Sequence, residues 1–189
     1  KSFPSQLPPN PLEPFPRTAV SFDGFTARHS RNRRRRLRRN APLSPQEMGE
    51  ELGPDLMKSG IPILCSDVNL PEQFRFLSTT KSGTPVFLHE RVAEADAIVT
   101  ISTTQATVRG YGGSGMIIPA VTSNETIEIN HLMSLAPDCI PGNNDCLMQR
   151  DKYEALEMAG VHMGINVIVS NRGEVIFLNA GTPGSLLPL

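Results

Sequence analysis

The sequence predicts an α/β domain, a single unit with a mostly parallel sheet and a C-terminal β-hairpin, preceded by a disordered tail rich in proline and arginine. Three observations carry that reading. From residue 41 onward, short β-branched runs alternate with stretches of helical spacing, the pattern that builds parallel sheets with helical crossovers. The run Ala97-Ile98-Val99-Thr100-Ile101 is uncharged, as a strand flanked on both sides should be. Residues 1–40 instead hold six prolines in their first sixteen positions and eight arginines between 28 and 39. That composition lacks backbone donors at its start, repels itself at its end, and offers no apolar face to pack. The boundary falls near residue 40, giving a tail over 1–40 and a folded domain over 41–189.

Along the domain, Ser44-Pro45-Gln46-Glu47 is a helix start in which Ser44 caps, Pro45 needs no amide partner and Glu47 closes a capping box. The helix should end near Leu52 at Gly53-Pro54, with a short helical turn over 55–59. Ile61-Pro62-Ile63-Leu64-Cys65 reads as a strand that Pro62 confines to an edge or a first position. Thr84-Pro85-Val86-Phe87-Leu88 is the next strand, then a helix over 90–95, then the buried strand at Ala97. Helices are expected over 123–133, behind a Ser123/Asn124 cap, and over 150–159, stopped by Gly160. Val167-Ile168-Val169 and Val175-Ile176-Phe177 form a hairpin about Asn171-Arg172-Gly173.

The formal net charge of −1 conceals a tail at +8 and a domain at −9. No Phe, Tyr or Trp interrupts the arginine run to stack on a base, so it reads as a solvated extension rather than a nucleic-acid tether. No stretch approaches the ~20 apolar residues of a membrane span. Three cysteines with no CxxC spacing do not make a disulfide framework or a zinc knuckle, and they point to the cytoplasm. The abrupt change of texture at residue 40 and the Lys at position 1 suggest a truncated or frame-shifted reading of a longer gene.

The chemistry-bearing feature is Arg109-Gly110-Tyr111-Gly112-Gly113-Ser114-Gly115, which contains a literal GxGxxG. Seven residues separate it from the strand before it, and Pro119 sits where a dinucleotide-binding helix would be starting. A loop whose backbone amides receive an anion is the better reading, with a tight structural turn as the bland one. His131 lies on the helix that follows. A lone helical histidine is more often hydrogen-bonded and partly buried than a ligand. His89 and His162 are isolated, and no HxH, HExxH or Ser-His-Asp pattern is present.

Pro42-Leu43-Ser44-Pro45-Gln46-Glu47-Met48, Ser82-Gly83-Thr84-Pro85-Val86, Val92-Ala93-Glu94-Ala95-Asp96 and the Gly-rich loop follow one another in order. Pro119-Ala120-Val121, Glu125-Thr126-Ile127, Asn130-His131 and Asn166-Val167-Ile168-Val169 with Asn171 and Gly173-Glu174-Val175 continue the series. On these segments, from about Ala41 to Gly181, the chain resembles the N-terminal domain of the lactate racemase family, the nickel-pincer nucleotide-dependent 2-hydroxyacid racemases and epimerases. Each piece is weak alone; the ordered set is specific.

The resemblance implies a small-molecule 2-hydroxy acid as substrate, a nickel-pincer nucleotide as hydride acceptor and a C-terminal domain completing the cleft. His131 matches the family's nickel-binding histidine, and Tyr111, Gly112, Gly113, Ser114 and Gly115 match its loop beside the cofactor. The match departs at the chemistry. The family's cofactor-anchoring lysine falls on Gly115, and one acid/base histidine falls on Gln105, the catalytic position carried over here. The other histidine belongs just before Pro42, where this chain has Arg39-Asn40-Ala41. The family's preceding strands, with a substrate-binding arginine, find no counterpart in 1–40. The expectation is therefore a divergent or incomplete racemase/epimerase domain, with a non-catalytic ligand- or anion-binding paralogue as the alternative.

Overall fold

A computed structural model of the chain describes residues 18–23, 42–107, 110–112 and 117–185. Its main sheet has four strands: β1 (Thr18–Asp23), β4 (Ala97–Thr103), β7 (Met163–Val169) and β8 (Val175–Gly181), in the order β1-β4-β7-β8. β4 runs parallel to both β1 and β7, whereas β8 returns antiparallel to β7. This is the mostly parallel sheet with a C-terminal hairpin that the sequence predicts. The hairpin turns at Gly173, whose φ of 84° suits glycine, and Ser170 and Glu174 close the turn with a 2.8 Å backbone bond.

A second, two-stranded ribbon joins β2 (Phe74–Thr79) to β3 (Pro85–His89). The free side of β3 is taken by residues 121–123. Leu88 bridges Thr122, His89 N donates to the Val121 carbonyl at 2.9 Å, and Ser123 N donates to the Phe87 carbonyl at 3.0 Å. Three longer helices, α1 (Pro45–Leu52), α4 (Asn124–Leu132) and α5 (Leu147–Met158), and two single turns, α2 (Pro54–Met57) and α3 (Glu90–Ala93), complete the described elements besides a small ribbon after β4 and a few 3-10 turns. The main core lies where β3, β4, α3 and α5 meet, around Val86, Leu88, Val92, Ile98, Ala155 and Leu156, sealed by Ile117 and Ile118. No helix among the described residues is long and apolar enough to cross a membrane.

Local signals place most elements. Ser44 and Glu47 form the reciprocal capping box, with Ser44 N donating to Glu47 Oε2 at 2.7 Å. Ser123 caps α4 through Thr126 N. Three differences from expectation have physical reasons. Residues 61–65 form no strand: Ile61 and Leu64 are 61% and 67% exposed, no neighbouring strand offers a ladder, and Pro62 withholds a donor. β2 is half of an isolated ribbon, so its burial does not alternate and its sequence shows no clear period.

Within the proline- and arginine-rich tail, Thr18–Asp23 departs from the expectation of a disordered stretch without strands, pairing with β4 from Thr18↔Ala97 to Asp23↔Ser102. The sequence TAVSFD is free of proline and arginine and β-rich in texture, unlike the segments on either side of it. The remainder of 1–40 lies outside the described residues. A chain starting at residue 41 would leave one edge of β4 without its ladder. Thermal denaturation of residues 41–189 beside the full chain should show a melting temperature lower by several degrees; equal values would remove β1 from the stable sheet.

Candidate functional site

The candidate site begins where β4 ends. Thr104 N donates to the Val167 carbonyl at 2.8 Å, keeping β4 and β7 together to their C-terminal ends, which is where open α/β sheets present ligands. The chain then folds into a small antiparallel ribbon of β5 (Gln105–Thr107) and β6 (Gly110–Gly112). Its register sets Gln105 opposite Gly112, Ala106 opposite Tyr111 and Thr107 opposite Gly110. The carried-over catalytic position and the first residues of the Gly-rich stretch are thus backbone neighbours. Gly113, Ser114 and Gly115 lie outside the described residues. Among the described residues Gly110–Gly112 is a strand, and the next described helix starts at Asn124.

Beyond the loop the chain is held firmly. Ile117 and Ile118 are buried at 1% exposure, Val121 N donates to the Ile117 carbonyl at 3.0 Å, and residues 121–123 dock on β3. Thr126 ties α4 to the same strand: its hydroxyl donates to the Pro85 carbonyl at 2.7 Å and accepts from Phe87 N at 3.0 Å. His131 occupies the last turn of α4 and is half-buried. Both α4 and β6 pack against α5. The described fold therefore gathers Gln105, Tyr111 and Gly112 in one ribbon and sets the helix carrying His131 on the same supporting helix.

That supporting helix carries a group the sequence reading missed. Asp151 is fully buried and accepts from Thr80 Oγ1, from Thr84 Oγ1 at 2.7 Å and from Asn130 Nδ2 at 2.8 Å. Asn130, the residue before His131, also donates to the Met148 carbonyl at 3.3 Å. One carboxylate thus joins the β2–β3 turn, α4 and α5. The signal was present in the spacing: Met148, Asp151 and Ala155 follow one helix face, so an acid stands in a stripe otherwise facing the core.

The remaining described histidines serve the backbone. His162 Nδ1 accepts from Ile98 N at 3.2 Å, while its own amide donates to the Ile98 carbonyl at 3.0 Å, fixing the start of β4. His89 caps α3, Nδ1 accepting from Arg91 N at 3.3 Å, and its ring meets Phe74 edge-on with centroids 5.7 Å apart. Burial pushes the His89 pKa below 6.5, with Glu90 opposing and Arg91 reinforcing the shift. The unfolded chain therefore binds this proton more readily than the folded one. Stability from this group is unaffected above pH 6.5 and is lost as pH falls below it, until the folded pKa is reached. His89→Asn keeps a capping acceptor and removes the titration. Melting curves at pH 7.5 and 5.5 should show a smaller acid-induced drop in the variant than in the parent.

A description of the lactate racemase N-terminal domain matches residues 41–139. The chain belongs to that family. Among solved structures, the lactate racemase apoprotein from Thermoanaerobacterium thermosaccharolyticum is similar at 23% identity with a TM-score of 0.71, over 75% of this chain and 35% of that one. A protein from Thermotoga maritima is similar at 18% identity with a TM-score of 0.65, over 76% of this chain and 40% of that one. At these identities the likeness is one of fold, and this lactate racemase N-terminal domain spans about two fifths or less of the length of those chains. No curated protein matches it.

The family's cofactor can be tested against the residues present. Among the described residues no group of three His, Cys, Asp or Glu side chains could enclose a metal ion. His131 can supply one imidazole to nickel carried in by another ligand frame, a donor that suits the metal. Gly115 has no amine and cannot form the family's covalent link. The residues fit coordination by a single side chain and do not fit covalent attachment.

Proposed function

We propose that this chain is the N-terminal part of a divergent lactate racemase-type site, a 2-hydroxyacid racemase or epimerase that holds a nickel-pincer nucleotide without a covalent anchor. The observation that carries the reading is the β5–β6 register, which sets the acid/base position of the family, Gln105, against the Gly-rich segment at Gly112. When bound, the nucleotide supplies a hydride acceptor. The chain's own contribution is to hold and orient: a Gly-rich segment offers backbone amides with no side chains in the way of an anion, and His131 offers a nitrogen to nickel. Gln105 can hydrogen-bond a hydroxyl or carboxylate, but it cannot exchange a proton near neutral pH. Proton transfer then falls to a group from a further domain, which we take to complete the cleft, in the cytoplasm.

The second reading, a non-catalytic ligand-binding paralogue, is favoured by the same two positions, since Gln105 and Gly115 together remove the proton shuttle and the anchor. The test is to incubate the full chain with mature nickel-pincer nucleotide, desalt it, measure nickel and cofactor absorbance, and assay interconversion of lactate enantiomers. Nickel that survives desalting and leaves on denaturation, with racemisation, supports the first reading. Nickel retention without racemisation, persisting when the C-terminal domain of a family member is supplied, supports the second. A folded chain that retains no nickel overturns the nickel assignment in both.

A further inference from the structure

The segment joining α4 to α5 brings together two of the three cysteines. Cys139 and Cys146 are buried and form one small apolar cluster with Met148, against which Met133 and Ala136 pack. Cys139 Sγ donates to the Met133 carbonyl at 3.4 Å, and both cysteines belong to the same buried cluster. The backbone around them is closed independently. Leu147 N, next to Cys146, donates to Oδ2 of Asp138, next to Cys139, at 3.1 Å. Arg150 spans the same neck, 3.4 Å from Asp138 and 3.0 Å from Asp145, and Asn143 Nδ2 donates back to the Asp138 carbonyl at 2.7 Å. Cys65, by contrast, is exposed on a separate segment.

We propose that Cys139 and Cys146 are a dithiol modification site that closes to an intramolecular disulfide by exchange with a small-molecule disulfide such as oxidised glutathione. In the first step the Cys139 thiolate attacks one sulfur of the small disulfide, its S–S bond breaks, and one molecule of small thiol leaves with a proton. In the second, Cys146 attacks the Cys139 sulfur of the mixed disulfide and releases the second small thiol. The two protein sulfurs lose two electrons, the small disulfide gains them, and the two protein protons end on the two released thiols. Cys139 is the first nucleophile because it retains 9% exposure, whereas Cys146 has none. Burial pushes the Cys139 thiol up, with the Met148 backbone opposing the shift and Cys146 and Asp138 adding to it, so reaction proceeds through the minor thiolate fraction. The bond ties the exit of α4 to the start of α5, whatever ligand the domain holds.

The test uses the full chain with Cys65→Ser, titrated with oxidised glutathione, quenched in acid and weighed intact. The expected result is a monomer lighter by two hydrogens in most molecules, reversed by dithiothreitol. A single cross-linked peptide pair should contain residues 139 and 146. Adding Cys139→Ser should abolish that mass loss. A stable glutathione adduct that does not close, a disulfide-linked dimer, or two thiols that remain alkylatable after unfolding would each overturn the proposal.

Discussion

Asp151→Ala is expected to lower the melting temperature of the chain by about 8–16 °C, corresponding to about 4 kcal/mol. The substitution removes the acceptor of three buried donors, the hydroxyls of Thr80 and Thr84 and the Asn130 amide, and supplies nothing in their place. Each donor left unsatisfied in a dry interior costs roughly 1–3 kcal/mol. Partial compensation is available, because Asn130 still reaches the Met148 carbonyl and a threonine hydroxyl can rotate toward another acceptor. The total therefore falls below a simple sum. Asp151→Asn, which keeps the shape and one acceptor oxygen, should fall between the parent and the alanine variant. Glu154→Ala makes the contrast on the same helix: it removes only an exposed acceptor from Lys81 N, with both oxygens at 3.1 Å, and should change stability by less than about 1 kcal/mol. Differential scanning calorimetry checks all three. A drop below about 3 °C for Asp151→Ala would mean that the carboxylate is not the tie between β2–β3, α4 and α5.

The elements legible in the sequence are those whose causes are local. The Ser44/Glu47 box, the Ser123 cap and the Asn171-Arg172-Gly173 turn each sit within four residues of the backbone groups they satisfy. β4 could be read because a central strand of a parallel sheet must be uncharged. What escaped is nonlocal. α5 starts at Leu147, earlier than its composition suggests, because its first amide is capped by Asp138 from nine positions away. β1 becomes a strand because β4 offers it an edge, and the proline and arginine around it mask that in a composition reading. The same holds for the site. His131 and the Gly-rich segment stand out as residue types, whereas the pairing of Gln105 with Gly112 depends on the antiparallel register of β5 and β6, and the Asp151 junction depends on three elements meeting.

Replacing His131 by alanine should separate binding from folding. If the imidazole is the chain's ligand to nickel, its loss removes a donor outright, whereas loss of a residue that merely orients a ligand costs roughly 10–100-fold in metal affinity. The expected weakening in nickel retention is therefore on the order of 100-fold or more, read by metal analysis after desalting. His131 is half-buried at the end of α4, and Ser123, Thr126 and Asn130 each tie that helix to its surroundings whatever stands at position 131. The melting temperature of the cofactor-free variant should consequently stay within a few degrees of the parent. Asp151→Ala should behave differently, losing stability and nickel together, because the tie through Asn130 fixes the turn on which His131 sits. Nickel retained at the parental level in a folded His131→Ala chain would take the metal away from α4. The proposed binding of an anion by the Gly-rich segment would then be the remaining contribution to test, and the binding-paralogue reading would gain. Loss of nickel in His131→Ala alone, with stability intact, would instead make that imidazole necessary for keeping the cofactor.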